Sequence, residues 1–140
     1  MSKKIVTCKL GDQDYLTQVQ GNHHSFFLDE PKELGGSDQA ANPTQHLLGS
    51  LVACTAITIK MYSKRKGWDT GEIRVSAELK EALKPDGVRH RIVKEIEFGN
   101  ELDQSQVERL LLIAEKCPVS KLLQKPIESV MNQGIGTSDS

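Results

Sequence analysis

The feature that most constrains the fold is a nearly uninterrupted apolar stretch, LLGSLVACTAITI, at residues 47–59. It is too short to span a bilayer, so it predicts a helix that is buried on most of its faces. Asn42 can act as an N-cap, Pro43 suits the first helical position, and Gln45 occupies the position of a capping-box partner. The helix is therefore predicted to begin at this point.

The length of this helix bears on the oligomeric state. We expect it to run to about Lys66, with a basic last turn that favours the helix dipole and with Gly67 as its stop. The 140 residues are predicted to form one domain, and only 4% of them are aromatic. Such a domain has little apolar material with which to surround the helix on all sides. We therefore expect a homodimer with paired central helices.

The segments on either side of the helix predict an α+β fold. Residues 3–28 alternate and turn at Gly11-Asp12 and Gly21-Asn22, which predicts three antiparallel strands in a meander. An irregular glycine-rich loop occupies residues 30–42. After the long helix the pattern predicts a strand at 72–83, a turn at 84–87, a strand at 88–98 with Ile92, Ile96 and Phe98 on one face, a helix capped by Asp103, a short helix at 119–124, a last strand at 127–131 and a disordered tail at 134–140.

Composition and charge argue against several classes of function. Charged residues make up 26% of the chain and the net charge is −1, so neither nucleic acid nor a membrane surface is an expected partner. The N-terminus has no apolar segment of a signal peptide, and we expect a cytoplasmic protein. Four histidines and three cysteines form no HxxxH or CxxC pair, and no GxGxxG pattern occurs, so no metal and no nucleotide cofactor is expected.

The three cysteines, Cys8, Cys54 and Cys117, are an odd number, which argues against the disulfide framework of a secreted protein. Cys54 lies in the middle of the apolar helix, where burial raises the pKa of a thiol and makes it inert. Cys117 lies between two helical patterns, and Pro118 suits the first position of the second, so Cys117 is a predicted N-cap with the better local chemistry for a lowered pKa. Composition and spacing do not show that Cys54 and Cys117 meet.

The segments that carry these two cysteines resemble the OsmC/Ohr family of thiol-dependent hydroperoxide reductases. They are NPTQHLLGSLVACTAITIKMYSKRKGW at residues 42–68 and AEKCPVSKLL at residues 114–123. The family pattern has a helix that opens with Asn/Ser-Pro, a cysteine about eleven residues after the proline, and a later Cys-Pro-Val; here these are Pro43, Cys54 and Cys117-Pro118-Val119. The resemblance implies antiparallel sheets around a long central helix, in an intertwined homodimer with active sites at the subunit interface.

The chemistry that the resemblance implies is that of a two-cysteine peroxidase. Cys54 would attack the O–O bond of an organic hydroperoxide, or of hydrogen peroxide, and become a sulfenic acid. Cys117 would resolve the sulfenic acid as a disulfide, and an external dithiol, lipoyl-type or other, would reduce that disulfide.

The sequence departs from the family pattern at the residues that activate the attacking cysteine. The better-known members use an arginine from the N-terminal region and a glutamate directly after the helix-opening proline. This chain has Thr44 after the proline and no arginine before Arg65. His24 remains as a candidate supporting cation, and the candidate carboxylates are Asp29, Glu30 and Glu33.

Ser120 is a second departure, because it takes the last position of a Cys-Pro-Val-His motif that a subgroup of the family carries. A hydroxyl can donate a hydrogen bond but does not titrate near neutral pH. The departures leave an alternative, a non-catalytic OsmC-like protein that senses redox state or holds a small hydrophobic ligand in an interface pocket. A purely structural role for both cysteines is the third interpretation.

Overall fold

The computed structural model describes residues 4–85 and 87–134 and combines two antiparallel sheets with helices, so the predicted α+β class is confirmed. The elements in chain order are β1 (Thr7–Leu10), β2 (Thr17–Gln20), β3 (Ser25–Leu28), a single 3-10 turn (Lys32–Leu34), α1 (Pro43–Lys66), β4 (Ile73–Lys84), β5 (Gly87–Phe98), α2 (Gln104–Ala114) and α3 (Pro118–Leu123). Within these described ranges, no helix is long and apolar enough to cross a membrane.

The N-terminal strands β1, β2 and β3 pair in chain order, which confirms the predicted meander. Their connections are longer than the two-residue turns that the Gly-Asp and Gly-Asn pairs predicted. Residues 11–16 join β1 to β2, and residues 21–24 join β2 to β3. The second connection is closed by the N–H of Gly21, which donates to the carbonyl of His24 at 2.8 Å. His24 therefore lies in a connecting loop at the sheet edge.

Strands β4 and β5 form a long antiparallel pair, with Ile73 opposite Phe98. On β5, Ile92 and Ile96 are half-buried and alternate with exposed residues, as the sequence pattern predicted. Lys94 belongs to the same face, because side chains two residues apart on a strand point the same way. This row of side chains therefore carries one cation among apolar neighbours.

Local capping chemistry fixes both ends of α1. The side chain of Asn42 accepts from the N–H of Gln45 at 2.8 Å, and the Gln45 side chain accepts from the N–H of Asn42 at 3.3 Å. This is the predicted capping box. Gly67 ends the helix with φ of 74°, in the left-handed region that glycine adopts without a steric penalty.

Burial of α1 is one-sided, which differs from the burial on most faces that its apolar sequence predicted. Its buried residues, spaced along one side, are Leu51, Thr55, Ile59, Tyr62 and Ser63. The apolar side chains that stay exposed include Leu47, Ile57 and Met61. The single chain has too little material to cover both sides of this helix.

The hydrophobic core lies where α2 crosses the second half of α1. Its buried members are Ile59, Tyr62, Leu110, Ile113 and Ala114. Helix α2 begins at the predicted cap, Asp103, whose side chain accepts from the N–H of Gln106 at 2.9 Å. The core therefore fixes α2, and with it the segment that carries Cys117, against α1.

The chain after α3 differs from the prediction. The structure assigns no strand to residues 127–131, where one was expected. The apolar side chains of Ile127, Val130 and Met131 are exposed there. A strand forms where its backbone pairs with a neighbouring edge, and residues 127–131 pair with none of the described strands. Of the predicted disordered tail, residues 135–140 lie outside the described residues.

Asp29 organises the loop between β3 and α1. Its buried carboxylate accepts hydrogen bonds from the Ser37 hydroxyl at 2.6 Å, the Glu30 N–H at 2.7 Å and the Gln39 N–H at 3.1 Å. These hydrogen bonds, that from Ser37 above all, hold the pKa of Asp29 below its ordinary value of 3.8. The carboxylate therefore stabilises the conformation of this loop.

We predict that Asp29→Asn lowers the melting temperature at neutral pH. A lowered pKa in the folded state means that the stabilisation is present above the unfolded-state pKa and is lost as pH falls through the folded-state pKa. The wild type should therefore lose stability steeply at acid pH, and the variant should lose less over the same range. Thermal melts from about pH 7 to about pH 3 measure this, with Asp14→Asn as an exposed control. Identical acid profiles for the wild type and Asp29→Asn would contradict the role.

Candidate functional site

Cys117 is the N-cap of α3, as the Cys-Pro order predicted. Its backbone is extended, with φ of −63° and ψ of 140°, and Pro118 is the first helical residue. Its Sγ accepts a hydrogen bond from the N–H of Ser120 at 3.2 Å. Because α3 turns this corner against α1, Cys117 is buried with 0% of its surface exposed.

Cys54 approaches Cys117 from the middle of α1. The two thiols are neighbours, close enough for each to shift the pKa of the other, and both are free. Thr55, the next residue of α1, also contacts Cys117, because its hydroxyl lies 3.7 Å from the Sγ of Cys117. Cys54 was predicted to be buried but is half-buried, since part of its surface lies toward the uncovered side of the helix. It is therefore the more accessible thiol of the pair.

The surroundings of Cys54 favour its protonated form. Burial raises the pKa of the Cys54 thiol, and the adjacent Cys117 raises it further. A hydrogen bond with the backbone of Val119 opposes this shift only in part. The pKa of the Cys54 thiol is therefore raised above its ordinary value.

The surroundings of Cys117 have the opposite effect. Burial by itself opposes ionisation, but the hydrogen bond from the Ser120 N–H outweighs it together with the contacts to Thr55 and Cys54 and the charge of Lys94. The pKa of Cys117 is therefore lowered from its ordinary value. The dithiol is expected to carry its first negative charge on Cys117, the thiol for which local sequence favoured a lowered pKa.

Lys94 was not among the predicted site residues. Its Nζ is buried and has no hydrogen-bond partner within the part of the chain that the structure describes. The carboxylate Oε1 of Glu115 lies 3.9 Å away, which makes an ion pair but is too long for a hydrogen bond. One feature of the sequence could have indicated this residue. Lys94 is a lysine in the alternating row of apolar residues formed by Ile92 and Ile96.

A cavity of about 270 Å³ adjoins this corner of the molecule. Its lining mixes polar residues, among them Lys94, Glu115 and Ser120, with the apolar residues Leu51, Ile92 and Leu123.

The other predicted supporting residues occupy different places. Ser120 lies at the site and donates its backbone N–H to the Sγ of Cys117. Thr44 is exposed in the first turn of α1, about 15 Å along the helix axis from Cys54. His24 is exposed in the loop between β2 and β3. For neither Thr44 nor His24 do the described residues show a contact with the thiols.

The remaining candidates form no second site. Glu30 and Glu33 lie in or beside the loop that Asp29 holds, and Cys8 is exposed on β1. Within residues 4–85 and 87–134, no group of three or more His, Cys, Asp or Glu side chains is placed to hold a metal ion.

Fold and site together define a class of protein. Two free thiols from distant parts of the chain meet between a long central helix and a Cys-Pro corner, in an α+β fold with antiparallel sheets. The family profile of OsmC-like proteins matches residues 36–131, and the chain belongs to the OsmC-like family. The resemblance carried by the two cysteine motifs is thereby confirmed.

Solved structures from several bacteria share the fold. A protein from Psychrobacter arcticus named for osmotic stress induction and detoxification response is 24% identical, with a TM-score of 0.69, over 87% of this chain and 88% of its own. The organic hydroperoxide resistance protein OsmC of Legionella pneumophila is 22% identical, with a TM-score of 0.64, over 89% and 90%.

An OsmC-like protein of unknown function from Vibrio cholerae is 8% identical, with a TM-score of 0.68, over 87% of this chain and 94% of its own. Identities this low show the fold alone. A search of functionally curated proteins gave no significant match.

Proposed function

We propose that this protein is a thiol-dependent peroxidase that reduces organic hydroperoxides through Cys54 and Cys117. The observation that carries the proposal is the contact between these two thiols. Family membership supports it, as do the names of similar structures that are organic hydroperoxide resistance proteins. All three cysteines are free, which suits the reducing cytoplasm in which we propose that the protein works.

The first step takes place at Cys54, because it is the more accessible thiol. Its proton passes to the adjacent Cys117 thiolate, and the Cys54 thiolate then attacks the terminal oxygen of the hydroperoxide. The O–O bond breaks, the sulfur gains OH and becomes a sulfenic acid, and the alkoxide recovers the proton from Cys117 and leaves as an alcohol. Cys117 is then a thiolate again.

The second step uses the lowered pKa of Cys117. Its thiolate attacks the sulfur of the Cys54 sulfenic acid, the S–O bond breaks, and the hydroxide takes a proton from solvent and leaves as water. The product is a Cys54–Cys117 disulfide. An external dithiol then reduces this bond by thiol–disulfide exchange and is itself oxidised to a disulfide.

We also propose that the working form is a homodimer. The exposed apolar side chains of α1, among them Leu47, Ile57 and Met61, form a row that a second copy of the chain would cover. This row runs along the same helix as Cys54. A partner would therefore complete the surroundings of the more accessible thiol.

Turnover tests the peroxidase proposal. The reduced protein should convert an excess of cumene hydroperoxide to the alcohol in the presence of dihydrolipoamide, over many cycles. Peptide mapping after exposure to peroxide, without the dithiol, should find a Cys54–Cys117 disulfide. Cys8→Ser is the matched control, since Cys8 is exposed on β1, and it should behave as the wild type. Oxidation that stops after one equivalent would overturn the catalytic role.

A second candidate function is favoured by one observation, an apolar groove of about 590 Å³ beside α1 and α2. Met61, Tyr62 and Ile113 line it, and its cations are Lys64, Arg65 and Lys116. This groove suits a small hydrophobic ligand in a protein whose thiols report redox state without turnover. One-equivalent oxidation together with saturable binding of a hydrophobic probe would support this function in place of catalysis.

A further inference from the structure

Lys94 places a positive charge where water does not solvate it. Its side chain is 15% exposed, and its Nζ is covered and has no hydrogen-bond partner among the described residues. Burying an ammonium group without compensation is costly. A negative charge close by is therefore needed to stabilise this arrangement.

Glu115 supplies only part of that compensation. Its Oε1 lies 3.9 Å from Nζ, and its side chain is 59% exposed, so water screens its charge. Its second oxygen, Oε2, accepts a hydrogen bond from Nε2 of Gln124 at 3.1 Å. The carboxylate is thus shared between Lys94, Gln124 and solvent.

Cys117 is the second group near this charge, because Ser120, whose N–H donates to the sulfur of Cys117, lines the same cavity as Lys94. It is fully buried, so water cannot solvate its thiolate either, and the Ser120 N–H is the backbone group that donates to its sulfur. The ionisable groups around it come from three elements. They are Cys54 from α1, Lys94 from β5, with His90 lining the adjoining cavity, and Glu115 from the end of α2.

We propose that Lys94 is the positioning residue that holds Cys117 as a thiolate, in place of the N-terminal arginine of the better-known family members. The cation comes from β5 and acts on the resolving cysteine, whereas the family arginine acts on the attacking one. The catalytic meaning of this assignment rests on the proposed peroxidase function. The charge interaction itself does not.

Titration of Cys117 as the sole thiol tests the assignment. In a chain carrying Cys8→Ser and Cys54→Ser, the ultraviolet absorbance of the thiolate is followed against pH. Lys94→Met should raise the pKa of Cys117 and so lower the fraction of thiolate below that pKa. Lys94→Arg should retain the wild-type titration. Lys80→Met, at an exposed lysine on β4, is the matched control and should leave the titration unchanged.

Glu115→Gln distinguishes electrostatics from a merely structural role. Removing the competing carboxylate leaves the charge of Lys94 to Cys117 alone, so the pKa of Cys117 should fall. Lys94→Met and Glu115→Gln should therefore shift the titration in opposite directions. Shifts in the same direction, or none in either variant, would overturn the proposal. If Lys94→Met fails to fold, Lys94→Arg and Glu115→Gln decide the matter.

The titration and the turnover assay fail independently. The titration uses no peroxide, so opposite shifts in a protein without turnover would sustain the role of Lys94 and reject the peroxidase. Turnover without any shift would reject the role of Lys94 and sustain the peroxidase.

Discussion

Cys54→Ser is expected to abolish the rapid oxidation of the protein by cumene hydroperoxide, by roughly 10³-fold or more, the scale seen when a catalytic nucleophile is removed. A serine hydroxyl does not ionise at neutral pH and does not attack an O–O bond. Stopped-flow mixing of the reduced protein with peroxide measures the effect. Cys8→Ser, which changes a thiol on β1, should retain the wild-type rate.

Cys117→Ser should react with one peroxide and then stop. Its first step should be slower than in the wild type, because Cys117 is the base that takes the proton of Cys54, but that step does not require a resolving thiol. The variant should accumulate a Cys54 sulfenic acid that a dimedone probe traps, and it should fail to turn over with a dithiol that reduces only the disulfide. If Cys54→Ser keeps the fast reaction and Cys117→Ser loses it, the two cysteines have the opposite roles. The lowered pKa of Cys117 makes this reversal the sharpest alternative to exclude.

Ile59→Ala should produce the largest loss of stability, about 2–5 kcal/mol in the free energy of unfolding. Ile59 is 0% exposed and lies in the core between α1 and α2, so its truncation leaves a cavity that its neighbours fill only in part. Urea unfolding measures the loss. Ile57→Ala is the matched control, since it makes the same change on the same helix at a side chain that is 53% exposed.

The control also tests the dimer. In an isolated chain, Ile57→Ala should cost less than about 1 kcal/mol. If a second copy covers the apolar row of α1, the cost should rise, and the unfolding midpoint should increase with protein concentration. A small cost and a midpoint independent of concentration would contradict the proposed dimer.

Much of the fold could be predicted because its boundaries are set by local chemistry. Asn42 and Gln45 form a capping box from four consecutive residues, and Asp103 and Cys117 cap their helices in the same short-range way. Gly67 ends α1 by adopting a left-handed φ. The failed strand at 127–131 needed a partner edge, which no local pattern can report.

The candidate site was only partly predictable, for the same reason. The two cysteines stood out through motifs that are themselves local, a helix opening and a Cys-Pro corner. Lys94 did not, because its place near Glu115 and Ser120 depends on how the tertiary structure brings β5 to the α2–α3 corner. The absence of the family's activating residues could be read from the sequence, but a replacement from another element could not.

The buried charge of Lys94 has a consequence for the direction of electron flow. A cation that stabilises a thiolate stabilises the reduced protein relative to its disulfide, which makes the disulfide a stronger oxidant. Once Cys117 enters a disulfide, the ammonium group loses its buried anionic neighbour and retains only the solvated Glu115. Equilibrium with a dithiol pool therefore shifts toward the reduced form. That bias suits a protein whose disulfide is reduced back to the dithiol soon after each oxidation.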